Sequence, residues 1–161
     1  MKALLKSFGY AFCGIAQTLR TERNMRIHTV VMLYMFGFLF CYDFFTVTRT
    51  QWALLFVACA GVLAGELVNT AVENVVDLVE RNKNLYCKTA KDAAAGAVLV
   101  SALFAVGVGV AVLWQPQAFR ALFGYYRAHP AMLVVLALSL VAAFWFIFGF
   151  GKHDRKDSTH D

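Results

Sequence analysis

One stretch of this sequence sets acids and an amide at helical intervals within apolar chain: Gly65-Glu66-Leu67-Val68-Asn69-Thr70-Ala71-Val72-Glu73-Asn74-Val75-Val76-Asp77. Glu66, Asn69, Glu73 and Asp77 follow one another at steps of three, four and four, so a helix stacks them on one face. Glu66 is a candidate general base. Glu73, Asp77 and the Asn69 amide suit a hard cation such as Mg2+, which takes oxygen ligands and bridges to phosphate oxygens. Two further stretches bring charge within reach of that face. Thr21-Glu22-Arg23-Asn24-Met25-Arg26-Ile27-His28 offers Glu22 as another carboxylate for a metal site. Ala90-Lys91-Asp92-Ala93 offers Lys91 as a point cation for phosphate. Taken singly, Asp77 reads equally well as a helix-end charge paired with a lysine, and Glu22 and Lys91 read as ordinary interface charges.

The elements that must position these residues are membrane helices. Of the 161 residues, 60% are hydrophobic and only 16% charged, whereas a soluble domain is about half apolar and a quarter charged. The excess lies in long runs separated by short polar stretches. Residues 1–26 carry Leu5, Phe8, Phe12, Ile15 and Leu19 on one helical face, with Lys2, Lys6, Gln17, Thr18 and Arg20 on the others. This predicts an amphipathic helix lying in the membrane interface. Interrupted by Lys2, Lys6, Arg20 and Arg23, the stretch does not read as a signal peptide. Spans are expected at about 28–45, 52–79 and 93–114, with Trp52 as an interfacial anchor. Residues 116–161 add an extracytoplasmic loop (Gln115 to Pro130), a fourth span at about 131–150 and a charged cytoplasmic tail. The expected fold class is thus all-α integral membrane, an interfacial helix followed by four spans. Ala93, Ala97 and Ser101, with Gly96 beside them, favour close helix approach.

Depth makes Glu66 the residue to explain. At 1.5 Å per residue it lies about 21 Å along the helix from Trp52, still at membrane depth, where a lipid-facing carboxylate costs about 2.5 kcal/mol or more. It must face protein or a wet cleft. Basic residues set the orientation. With the N-terminus inside, Lys2, Lys6, Arg20, Arg23, Arg26, Arg81, Lys83, Lys88, Lys91, Lys152, Arg155 and Lys156 are cytoplasmic, and only Arg49, Arg120 and Arg127 lie outside. That asymmetry predicts cytoplasmic termini and a cytoplasmic Glu80–Asp92 loop, with the positive charge facing anionic lipid and a phosphorylated substrate. Cys13, Cys41, Cys59 and Cys87 form no Cys-x-x-Cys pair, and His28, His129, His153 and His160 form no ligand pattern, which argues against a zinc or redox centre.

Three segments together resemble the small bacterial integral membrane lipid kinases, diacylglycerol kinase and undecaprenol kinase. They are Glu22-Arg23-Asn24-Met25-Arg26-Ile27-His28, Glu66 through Asp77, and Lys91-Asp92-Ala93-Ala94-Ala95-Gly96-Ala97-Val98, in the family's order and at its intervals over about residues 1–115. The resemblance implies a lipid kinase domain over 1–115 that uses ATP and Mg2+ to phosphorylate a lipid hydroxyl at the cytoplasmic face of the bacterial inner membrane. It also implies a homotrimer with shared active sites. By the family's motif, Glu66 matches the general base, Glu22 and Glu73 the metal-binding carboxylates, and Asn69, Lys91 and Asp92 the remaining polar positions, with Lys91 on nucleotide phosphate. Asp77 matches a nucleotide-site carboxylate of the undecaprenol kinase branch. The Glu-Arg-Asn-Met-Arg-Ile-His and Asn-Thr-Ala-Val-Glu forms resemble that branch more than the diacylglycerol kinase branch.

Other classes fit less well. No Gly-x-x-x-x-Gly-Lys-Ser/Thr loop and no protein-kinase signature occurs. A nucleic-acid partner is not expected. A lipid phosphatase would need a basic and histidine constellation at the membrane face, where acids dominate here. A non-enzymatic carrier with Glu66 as proton relay leaves Glu22, Lys91 and Asp92 without a role. The fourth span carries no acid and is expected to carry no chemistry.

Overall fold

The structure is a computed structural model and describes residues 2–79 and 84–149. The charged tail from Lys152 and residues 80–83 of the expected cytoplasmic loop lie outside the described residues. The described chain is six helices: α1 (Lys2–Thr21), α2 (Arg23–Cys41), α3 (Arg49–Val79), α4 (Leu85–Leu113), α5 (Pro116–Ala128) and α6 (Pro130–Gly149). Four of them, α2, α3, α4 and α6, are long and apolar enough to cross a membrane. The 31 residues of α3 run about 46 Å against a hydrocarbon core of about 30 Å. Helix α3 is thus longer than a crossing requires, and its last turns carry Glu73 and Asp77.

Helices α3 and α4 form the closest pair. Gly65 lies at this contact: a Cβ there would stand 3.7 Å from the Val98 side chain, ordinary van der Waals distance. Helix α2 joins α3 through a ladder of rings, with Phe36 on Phe56 at 4.8 Å and Phe40 on Trp52 at 4.9 Å between centroids. Helix α6 packs on α2, and α1 packs on both α2 and α3. The apolar core is thin, consisting of Met25, Leu55, Val62, Val98, Val112 and Ala118, while valines, leucines and phenylalanines line the outside. Lipid tails can cover such an exterior, so apolarity outside is here the rule of the solvent.

Three boundaries differ from the sequence expectation. The interfacial helix stops at Thr21, and α2 begins at Arg23 after an extended Glu22 (φ −98°, ψ 117°). The apolar stripe of α1 ends at Leu19, and the buried Arg26 side chain donates to the free carbonyls beyond it, Leu19 O and Arg20 O. Helix α4 starts at Leu85, because the Asn84 side chain accepts from the Tyr86 amide at 2.9 Å as an N-cap. This puts Lys91 and Asp92 on a helix rather than in a loop. The stretch read as the Gln115–Pro130 loop is largely helix α5, opened by Pro116 in its first turn. Ala118, Leu122, Tyr125 and Tyr126 share its inner face, and the Tyr126 hydroxyl lies 3.3 Å from that of Tyr42.

Candidate active site

Leu55, Val62 and Glu66 are among the most deeply buried side chains. A carboxylate thus shares the driest position with two aliphatics, at 2% exposure. Helical spacing puts it on the α3 face that meets α2 and α4. Its Oε1 has no hydrogen-bond partner, although His28 Nε2 approaches to 3.3 Å without hydrogen-bond alignment. One turn on, Asn69 donates from Nδ2 to Glu73 Oε1 at 3.1 Å, which leaves Asn69 Oδ1 buried and also without a partner. Thr70 turns its hydroxyl to its own helix, bonding Glu66 O at 2.9 Å. Two acceptor oxygens without donors are costly in a dry site, and both belong to a cleft of about 170 Å3 lined by Asn24, His28, Glu66, Asn69, Ala95, Val98, Leu99 and Ala102.

Glu22 occupies the one-residue break between α1 and α2. It stands at the N-cap position of α2, yet its side chain makes no cap hydrogen bond. Its charge acts instead on Glu66, as does that of Glu73. Glu22 and Glu73 therefore both place negative charge near Glu66. One turn beyond Glu73, Lys91 Nζ meets Asp77 Oδ1 at 2.5 Å across α3 and α4. Glu73 links the two groups, because its charge is felt by Lys91 as well as Glu66. Asp92 is exposed and makes no hydrogen bond or ion pair among the described residues.

The residues singled out in the sequence thus fall into an inner group (Glu66, Asn69, Glu73 and Glu22), an outer pair (Asp77 and Lys91) and an isolated Asp92. Two residues given no role beyond motif matching join the inner group. Asn24 and His28 line the cleft from α2, and their four-residue spacing at the start of an apolar helix was the available signal. Arg26, read only for topology and as part of the motif, is 2% exposed. A divalent metal fits the donor chemistry, since carboxylates and a partnerless amide oxygen are hard-cation ligands. Among the described residues no three acids, histidines or cysteines stand together as a complete metal cage. Mg2+ commonly takes one or two carboxylates and completes its shell with phosphate oxygens and water.

Residues 9–113 match the model of the family described as prokaryotic diacylglycerol kinase. The chain is 36% identical to the undecaprenol kinase of Bacillus subtilis (strain 168) over 112 residues, which cover 70% of this chain and 89% of that protein. It is 41% identical to a diacylglycerol kinase of Synechocystis over 114 residues, 70% of this chain and 63% of that one. It is 30% identical to a diacylglycerol kinase of Pseudomonas aeruginosa over 101 residues, 63% of this chain and 80% of that one. No solved structure matches. With its spanning helices and with the family model covering well over half its length, the chain belongs to the prokaryotic diacylglycerol kinase family, and it is a bacterial membrane lipid kinase.

Proposed function

We propose that this kinase transfers the γ-phosphoryl group of ATP to the hydroxyl of undecaprenol, with Glu66 as general base. The observation that carries the reading is the buried Glu66 carboxylate, whose Oε1 lacks a donor and borders a cleft at membrane depth. A hydroxyl is the group that such an oxygen lacks. In the step, the lipid O–H gives its proton to Glu66, a P–O bond forms to the lipid oxygen, and the P–O bond to the ADP leaving group breaks. His28 flanks the accepting oxygen at 3.3 Å. Glu22 and Glu73 would hold Mg2+, which supplies charge neutralisation on the phosphate oxygens when bound. Asn69 fixes Glu73 through their hydrogen bond. Lys91, oriented by Asp77, faces nucleotide phosphate, and Asp92 completes the nucleotide side.

Undecaprenol is favoured because Glu22 through His28 has the form of that branch, and a relative of that name is 36% identical. Diacylglycerol is the second reading, supported by the more identical relative from Synechocystis. The enzyme works in the cytoplasmic membrane with both termini inside, as a homotrimer whose copies cover apolar faces of α3 and α4. Radiolabelled phosphate transfer from ATP tests the substrate, with undecaprenol and diacylglycerol offered separately in mixed micelles. Strong preference for undecaprenol is expected. Preference for diacylglycerol would overturn the substrate but keep the mechanism.

A further inference from the structure

The family match ends at residue 113, so α5 and α6 lie beyond it and the reaction above gives them no task. Their contacts run along the full length of α2. Tyr126 meets Tyr42 at the outer end, and Ser139 accepts from the Tyr34 hydroxyl at 2.8 Å near the middle. At the cytoplasmic end, Arg26 Nε donates to Ile147 O at 3.0 Å.

The last contact reaches the catalytic corner. Arg26 is buried, and one of its terminal nitrogens also donates to Leu19 O at 3.3 Å and Arg20 O at 2.6 Å. All three acceptors lie in the last turns of α1 and α6. Such carbonyls have no intrahelical donor and sit at the negative ends of their helices. A guanidinium is a rigid fork that satisfies several acceptors at once, and its burial is tolerable only when they are present. Between the α1 acceptors and Arg26 itself lies Glu22, whose backbone is tied at both ends: its N–H donates to Thr18 O at 2.8 Å and its carbonyl accepts from Arg26 N at 3.3 Å.

We propose that Arg26 is a positioning residue that locks the Glu22 corner, and that the appended helix α6 serves the reaction as its second anchor. The inference deepens the metal-holding role given to Glu22 and rests on that reading for its kinetic readout. Arg26→Lys keeps the charge but cannot bridge the two helix ends. Ser139→Phe wedges α6 away from α2 far from the cleft.

The test uses both changes, singly and together, in the full chain in mixed micelles. Two quantities are read: the Mg2+ concentration for half-maximal phosphate transfer, and amide hydrogen exchange over residues 18–24. Arg26→Lys should raise the Mg2+ requirement about tenfold with kcat within about twofold. Ser139→Phe should raise it in the same direction, and the double variant should match Arg26→Lys alone, as expected for two changes on one linkage. Both should speed exchange over residues 18–24, a readout that needs no activity and survives failure of the kinase assignment. Unchanged exchange and Mg2+ requirement in Ser139→Phe would overturn the role of α6. Unchanged values in Arg26→Lys would overturn the lock itself.

Discussion

His28 Nε2 stands 3.3 Å from Glu66 Oε1, across the α2–α3 contact and at the wall of the cleft. The two side chains come from helices whose sequences meet only through folding, and Glu66 Oε1 has no hydrogen-bond partner among the described residues. The pair ties the orientation of the proposed base to the start of α2, six residues after Glu22. It predicts that His28 acts on the rate through Glu66 rather than on nucleotide binding.

His28→Ala should therefore lower kcat about tenfold or more, since a misdirected catalytic group is costly even when retained. KM for ATP should stay within about twofold. His28→Gln, whose amide can approach the same oxygen, should recover part of the loss. Steady-state kinetics with ATP varied at saturating lipid checks this, and an unchanged kcat in His28→Ala would remove the residue from the site.

Glu22→Ala and Glu73→Ala should each raise the Mg2+ requirement, by about tenfold or more for a ligand to the metal. Asn69→Ala should follow Glu73→Ala in direction and with smaller amplitude, because its amide holds Glu73 Oε1. Mg2+ titrations of the three variants provide the check. An unmoved titration in both glutamate variants would take them out of metal binding.

Asp77→Asn releases Lys91 from its ion pair. Both partners are solvent-accessible, so thermal stability in detergent should change little. KM for ATP should rise several-fold if Asp77 aims Lys91 at phosphate. Equal ATP kinetics in the variant and the parent would make the pair a surface feature without a part in binding.

Gly65 tests the α3–α4 packing that sets the depth of Glu66. A Cβ at 3.7 Å from Val98 is ordinary contact, so Gly65→Ala should keep activity and assembly. Gly65→Leu should force the helices apart and destabilise the protein by about 1–3 kcal/mol, as overpacking does. Detergent unfolding curves of the two variants distinguish these outcomes.

Much of the site was legible before folding because a helix converts spacing into a face. The steps among Glu66, Asn69, Glu73 and Asp77 were enough to predict one aligned stripe, and the structure pairs Asn69 with Glu73 along it. The burial of Glu66 also followed, since a carboxylate at membrane depth has to face inward. What spacing could not give was contact between helices. Nothing local to His28 or Arg26 says which carboxylate or carbonyl each will meet, and both owe their partners to the α1–α2 break at Glu22 and to the packing of α3 and α6 on α2. Helix α5 was missed for a different reason. Pro116 and Pro130 bound the stretch read as a loop, yet Pro116 opens the helix and Pro130 begins the next.

The most direct test of the account is radiolabelled phosphate transfer from ATP to a lipid alcohol in mixed micelles, comparing the native chain with Glu66→Gln. The native chain should phosphorylate the lipid. The variant should assemble normally and lose about a hundredfold or more in rate, the scale of a general base. Native-like transfer by Glu66→Gln would contradict the assignment of the base, and no transfer by the native chain to either lipid would contradict the proposed reaction.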